Sequence, residues 1–276
     1  MTKDKIVKLL VTGFLMLFSL LISSCGEMAR IQKSNDTSLK YDYAKKYFNQ
    51  KKWSKASELL VDVVPAYEGT SEGAQALYML GISELALEHG DIAAESFRRY
   101  YANYPKGAKA EECRFRAGEA FYISSPEAQL DQNVTYTAIQ ELQTFIELYP
   151  TSDYRKDAER MLFDLQDKLA YKELKSATLY YDMGMYLGNN YQSAVVTANN
   201  ALKDYPYSKW REDFYILILR ATYQEAINSV VSKQQERYRN VIDRYFAYVN
   251  EFPQGKYTKE ADRIYKRIQP LLSEEA

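Results

Sequence analysis

Apolar side chains recur at spacings of three and four along most of the chain, broken at intervals by proline. The clearest stretch runs from Glu141 to Leu169 and reads as helix, turn, helix. Ala138, Leu142, Phe145, Ile146 and Tyr149 line one helical face, and Glu141 falls off that stripe and reads as exposed. Pro150 ends the first helix, because it lacks an N–H and pushes its predecessor out of the α region. Ser152 or Asp153 is placed to cap the second, whose stripe is Tyr154, Ala158, Met161, Leu162 and Leu165.

The same register fits three other prolines. Twelve, eight, five, four and one residues before Pro105 stand Ala93, Phe97, Tyr100, Tyr101 and Tyr104. Before Pro206 they are Ala194, Ala198, Ala201, Leu202 and Tyr205, and before Pro253 Val241, Tyr245, Tyr248, Val249 and Phe252. Gly107, Ser152, Ser208 and Gly255 each follow their proline by two positions. The fold class this predicts is all-α, an array of helical hairpins in which each repeat buries its apolar face on its neighbours.

Ala44, Tyr47, Trp53, Ala56 and Leu60 match the small and large positions of a tetratricopeptide repeat. The first repeat is expected to begin near Leu39, with a second helix from Trp53 to Val64 stopped by Pro65. Leu77, Leu80 and Gly81 belong to the second repeat, where the glycine permits close helix approach. Cys113, Ala117, Gly118 and Phe121 belong to the third, which is followed by an irregular insert over 124–133. From Asp153 to Leu187 one long helical pattern joins two halves, and Asn189-Asn190 turns the chain into the next helix. The fifth repeat pairs residues 209–231 with 234–252, its first helix unusually apolar from Trp210 to Leu219, and a last helix from Thr258 to about Leu272 caps the array. The expected organisation is a leader over 1–24, a tether over 25–38, three repeats over 39–152, and two repeats with the cap over 153–276.

Composition narrows the function. A net charge of −1 with scattered Lys and Arg argues against nucleic-acid binding. The 26 tyrosines are bulk for helix packing that keeps a hydroxyl for the surface. No CxxC or Cys/His cluster, Gly-rich phosphate loop or nucleophile elbow occurs, so no catalytic residue, metal or cofactor is expected. Glu111, Glu112 and Glu159 read as solvated helix faces, His89 as an exposed loop residue and Cys113 as a small buried apolar side chain.

At the N-terminus, Lys3, Lys5 and Lys8 precede an apolar run from Leu9 to Ile22, and Ile22-Ser23-Ser24-Cys25 follows. This resembles a bacterial lipoprotein signal with its lipobox, which implies lipidation at Cys25; an ordinary signal peptide or an uncleaved anchor is the alternative. Gly26 in place of Asp favours the outer membrane. As a flexible chain, 26–38 would reach about 20 Å from the bilayer.

The run TFIELYPTSDYRKDAERMLFDLQDKLAYKELKSATLYYDMGMY, followed by YQSAVVTANNALKDYPYSKWREDFYILI, resembles the BamD family, lipoproteins of the outer-membrane β-barrel assembly (BAM) complex built from five tetratricopeptide repeats. The resemblance covers nearly all of the mature chain and is densest over 141–225. It implies a non-enzymatic, periplasm-facing protein that binds a BamA-like barrel insertase and receives unfolded outer-membrane proteins. The alternative is an adapter lipoprotein of cell-wall synthesis, constriction or glycan uptake. Transferring the repeat register places Tyr41, Lys45, Phe48, Tyr78, Phe115 and Tyr122 on a client groove. Tyr191, Lys203, Tyr207, Lys209 and Arg211 are the expected insertase contact, with Thr197 where more basic character would suit a charged partner.

Overall fold

The computed structural model describes residues 27–272, so the lipobox and Cys25 lie outside the described residues. Among the described residues, eleven helices of more than ten residues follow the predicted order: α1 (Thr37–Asn49), α2 (Trp53–Ala66), α3 (Ser71–Ala86), α4 (Gly90–Asn103), α5 (Ala110–Ser124), α6 (Asn133–Leu148), α7 (Arg155–Met183), α8 (Asn190–Asp204), α9 (Arg211–Ile227), α10 (Val231–Glu251) and α11 (Thr258–Ile268). A 3₁₀ turn, Gln269–Leu271, closes the series, and residues 27–32 are helical. Among the described residues there is no strand. Neighbouring helices pack in succession, α1 to α5 and again α8 to α11, as a helical-hairpin solenoid of tetratricopeptide type requires.

The proline register is a hydrogen-bonding register. After each of the four prolines, the residue two positions on donates its N–H to the carbonyl of the aromatic just before the proline. Gly107 bonds Tyr104 at 2.9 Å, Ser152 bonds Tyr149 at 3.1 Å, Ser208 bonds Tyr205 at 3.1 Å and Gly255 bonds Phe252 at 3.0 Å. Three residues later the next helix opens with an N–H to that same residue, Ala110 to Gly107, Arg155 to Ser152, Arg211 to Ser208 and Thr258 to Gly255. Each turn thereby satisfies backbone groups that a broken helix leaves unpaired.

The turns inside the hairpins use a left-handed residue. Lys51 sits at φ 55° and Glu88 at φ 63°, and Lys52 and His89 then bond back to the Tyr47 and Glu84 carbonyls. Leu187 plays the part before α8, at φ 55°, with Gly188 inserted after it. Small residues set helix spacing. A Cβ on Gly81 would lie 2.5 Å from Phe97, and one on Gly118 would lie 2.7 Å from Leu142. Ala93, Ala138, Ala194 and Val241, all twelve before a proline, are fully buried.

The described residues form two compact units, one reaching Ser125 and including Val134–Glu159, the other comprising Pro126–Asn133 and the chain from Arg160. The first centres on a core of Leu59, Leu60, Val63, Leu77 and Phe97. The second joins a cluster around Ala198, Phe214 and Leu217 to one around Ile216, Val241 and Tyr248. In the second unit Lys172 donates to the Leu130 carbonyl at 3.2 Å, which gives the irregular 126–133 segment a partner.

Four expectations change. Residues 27–32, expected as part of a flexible tether, form a helical turn whose Met28 and Ile31 are buried in the first core. Pro65 does not stop α2 but lies in its last turn, where Tyr67 still bonds Val63 at 3.2 Å. The apolar helix expected over 209–231 ends at Ile227, because Asn228 and Ser229 bond back to Gln224 and Ala226 and release the chain. Glu141 is buried, at 7% exposure, between Arg98 (2.9 Å) and the Tyr101 hydroxyl (3.1 Å). The helix stripe showed it as polar, and the guanidinium and phenol from α4 that enclose it come from about forty residues away.

Candidate functional site

In the first unit, the first helices of neighbouring hairpins are tied by side chains one repeat apart. The Tyr41 hydroxyl donates to Gln75 at 2.6 Å, and the Tyr78 hydroxyl to Glu112 at 3.0 Å. Lys109 donates to the other Glu112 oxygen at 2.8 Å, and its ammonium lies 5.1 Å from the Tyr78 ring centroid. Burial and the Glu112 carboxylate push the Tyr78 hydroxyl up to about 12. Burial works to raise Glu112 as well, but hydrogen bonds from Lys109 and Tyr78 outweigh it and hold the carboxyl below its ordinary value.

Gln75, Tyr78 and Lys109 of this network line a groove of about 760 Å³. Phe48, Ala74, Met79 and Tyr100 give it apolar walls, while Lys45, Lys106 and Lys109 bring ammonium groups to it. Its far side is the turn after α4, where the Tyr104 hydroxyl accepts from the Gly69 N–H at 2.9 Å and the Tyr100 hydroxyl from the Lys109 N–H at 3.3 Å. The turn that the proline register builds is therefore also a groove wall. Such a surface is suited to hold a peptide segment with apolar or aromatic side chains.

Of the six residues expected on the groove, Lys45, Phe48 and Tyr78 line it. Tyr41 is buried beside it and meets it through Gln75. Phe115 is core, 2% exposed, stacked on Tyr154 at 4.7 Å and tilted against Phe145 at 5.5 Å. Tyr122, at the far end of α5, is outside the lining. Sequence reasoning missed Gln75, Glu112 and Lys109. Their signal was the spacing of 34 residues that pairs Tyr41 with Gln75 and Tyr78 with Glu112, the length of one repeat. Glu112, read as solvated, is a half-buried member of this network.

The second expected surface is heterogeneous. Tyr207 is 84% exposed at the turn after α8, and Lys203 is exposed with no ion pair among the described residues. Lys209 already pairs with Asp167 at 3.6 Å, and its N–H bonds the same carboxylate at 3.0 Å. Arg211 pairs with Glu251 and with the Pro206 carbonyl. Tyr191 is half-buried, its ring 5.8 Å from that of Tyr181. His89 is the residue before α4, and its Nδ1 lies 2.7 Å from the buried Glu84 carboxylate, which also accepts from Ser57. Cys113 is fully buried and free, with burial pushing its thiol up. No group of described side chains could hold a metal ion, and no described helix is long and apolar enough to cross a membrane.

Successive helical hairpins with a peptide-sized groove on their first helices define a tetratricopeptide-type repeat protein. The family described as YfiO, outer membrane lipoprotein, matches residues 33–188, more than half of the 276, and the chain belongs to that family. The match takes in the groove and α7 and ends before α8, whereas the resemblance read from sequence ran further. No curated protein matches the chain.

Proposed function

We propose that this chain is the BamD-like subunit of an outer-membrane β-barrel assembly machine. In this reading Cys25 is lipidated and holds the protein to the periplasmic face of the outer membrane. The first three hairpins receive unfolded barrel proteins in the Lys45–Phe48–Tyr78 groove. The second unit docks a BamA-like insertase. The observation that carries the reading is the groove, apolar with lysines beside it, in a member of an outer-membrane lipoprotein family. Unfolded barrel strands alternate apolar and aromatic residues with polar ones, and flat walls such as Tyr78 and Tyr100 can hold them at little ordering cost.

Photocrosslinking probes at Lys45 and Tyr78 should capture an unfolded barrel protein, while a probe at Tyr180 in the second unit should not. Capture only from the second unit would overturn the client assignment. For the insertase, Lys209 and Arg211 are poor positions to reverse, since Lys209 ties the turn before α9 to α7 and Arg211 ties α9 to α10. Lys203→Glu with Tyr207→Asp alters only exposed side chains and should reduce co-purification of the insertase while leaving the melting temperature unchanged. Undiminished recovery would remove the insertase from this surface.

A further inference from the structure

The second unit contains a cleft of about 230 Å³ that the reading above does not use, walled by Tyr181 of α7, Arg220 and Tyr223 of α9, and Glu260, Arg263 and Arg267 of α11. Its charges do not balance. Arg220 donates from Nε and Nη2 to the two oxygens of Glu260, each at 2.7 Å, and Arg263 adds only its longer-range field to that carboxylate, so three guanidinium groups face one carboxylate. Among the described residues Arg263 makes a single hydrogen bond, from Nε to the Lys259 carbonyl at 3.3 Å, and Arg267 makes none. Neither is ion-paired among the described residues, and both are exposed. They stand one turn apart on α11 and converge on the same small space. A place near the end of α11 suits Arg267 to the helix dipole, but that benefit requires no convergence with Arg263.

Guanidinium groups carry planar donors that fit a carboxylate two at a time, and buried arginines are frequent anchors of protein interfaces. The cleft is below the size of sites that enclose an extended ligand. Its tyrosine rings and Ile264 offer contact to one or two methylenes beneath a charged end. We propose that this cleft receives a single glutamate or aspartate side chain presented by a partner polypeptide, held between Arg263 and Arg267 with Arg220 as the fixed cation behind them. The inference rests on the second unit alone and stands whether or not the groove of the first unit takes unfolded barrel proteins.

The test is nuclear magnetic resonance of the arginine Nε–Hε groups in the mature chain. The probe is an N-acetylated, C-amidated pentapeptide, Gly-Ser-Glu-Ser-Gly, and its control has glutamine in place of the glutamate. The glutamate peptide should shift the Arg263 and Arg267 signals saturably. The glutamine peptide, and Arg263→Gln with Arg267→Gln in the protein, should weaken this by about tenfold or more. Because both side chains are exposed, the variant should keep its melting temperature; if it does not, Arg267→Gln alone serves. Two peptides that bind alike would overturn the proposal. So would saturation by inorganic phosphate or by phosphatidylglycerol vesicles where the glutamate peptide gives none, which would make the cleft a phosphate or headgroup site instead.

Discussion

Phe97 and Leu142 occupy, in the second helices of the second and third hairpins, the position that Ala198 holds in α8, each eight residues before its proline. In the first unit these large side chains press against glycine, Phe97 on Gly81 and Leu142 on Gly118. At α8 of the second unit the sizes are reversed, whereas α10 keeps a large side chain, Tyr245, at the same position. Ala194, Ala198 and Ala201 line α8, and Phe214, Leu217 and Ile218 of the following helix supply the bulk. What is held constant is the filled volume between two helices, not which helix fills it. The polar contacts differ too. The first unit runs tyrosine hydroxyls between neighbouring first helices beside its groove. The second ties its last hairpin to the capping helix and the turn before it with the ion pairs Arg220–Glu260 and Lys256–Asp213, joins the two helices of that hairpin with Tyr248–Glu212, and leaves two arginines over among the described residues.

The largest effect should come from emptying either core. Phe97→Ala and Phe214→Ala each remove a fully buried ring and should cost about 3–5 kcal/mol. Hydrogen exchange read by segment should rise in the first three hairpins for the former and in α8 to α10 for the latter; one uniform response to both would mean the units unfold as a single body. Overfilling comes next. Ala138→Leu and Ala194→Phe crowd fully buried positions and should lower stability by about 1–3 kcal/mol in urea titrations. If α8 is the more tolerant helix, because its neighbours are already alanines, the second loss will be the smaller despite the larger side chain.

Alkaline pH acts on both units through tyrosine. Burial, followed by a glutamate partner, pushes the hydroxyls of Tyr78 and Tyr248 up to about 12 from an ordinary 10. A raised folded value means that the folded chain keeps a proton the unfolded chain has released. The contribution is therefore intact below about pH 10 and is lost as pH rises towards 12. Tyr78→Phe and Tyr248→Phe should each flatten the fall in unfolding free energy between those values, a comparison that loses its basis if neither does. The smallest effect is a gain. Lys51→Gly and Glu88→Gly relieve a left-handed backbone and should stabilise the first unit by up to about 1 kcal/mol. Leu187→Gly should do the same for the second, and a destabilised variant would show that the side chain contributes more than its backbone costs.

The sequence by itself determined the hairpins, their order and their turns. Period and proline are local properties, and a chain that cannot continue a helix past Pro105, Pro150, Pro206 or Pro253 must turn there whatever packs around it. It also determined which small residues are buried, since Ala93, Ala138 and Ala194 recur twelve residues before a proline, and Gly81 and Gly118 stand on the first helices where close helix approach needs them. Tertiary structure alone decided which polar side chains are structural. Glu141 and Glu112 look like ordinary surface charges along their own helices. Their partners Arg98, Tyr101 and Tyr78 arrive from neighbouring helices at the right height, and no pattern within one helix encodes that. The same reason turned Phe115 from a groove residue into core: its place on the helix was readable, but the Tyr154 ring that covers it comes from the next hairpin. Burial of a charge or a ring depends on what lies opposite, and what lies opposite is fixed only once the hairpins have stacked.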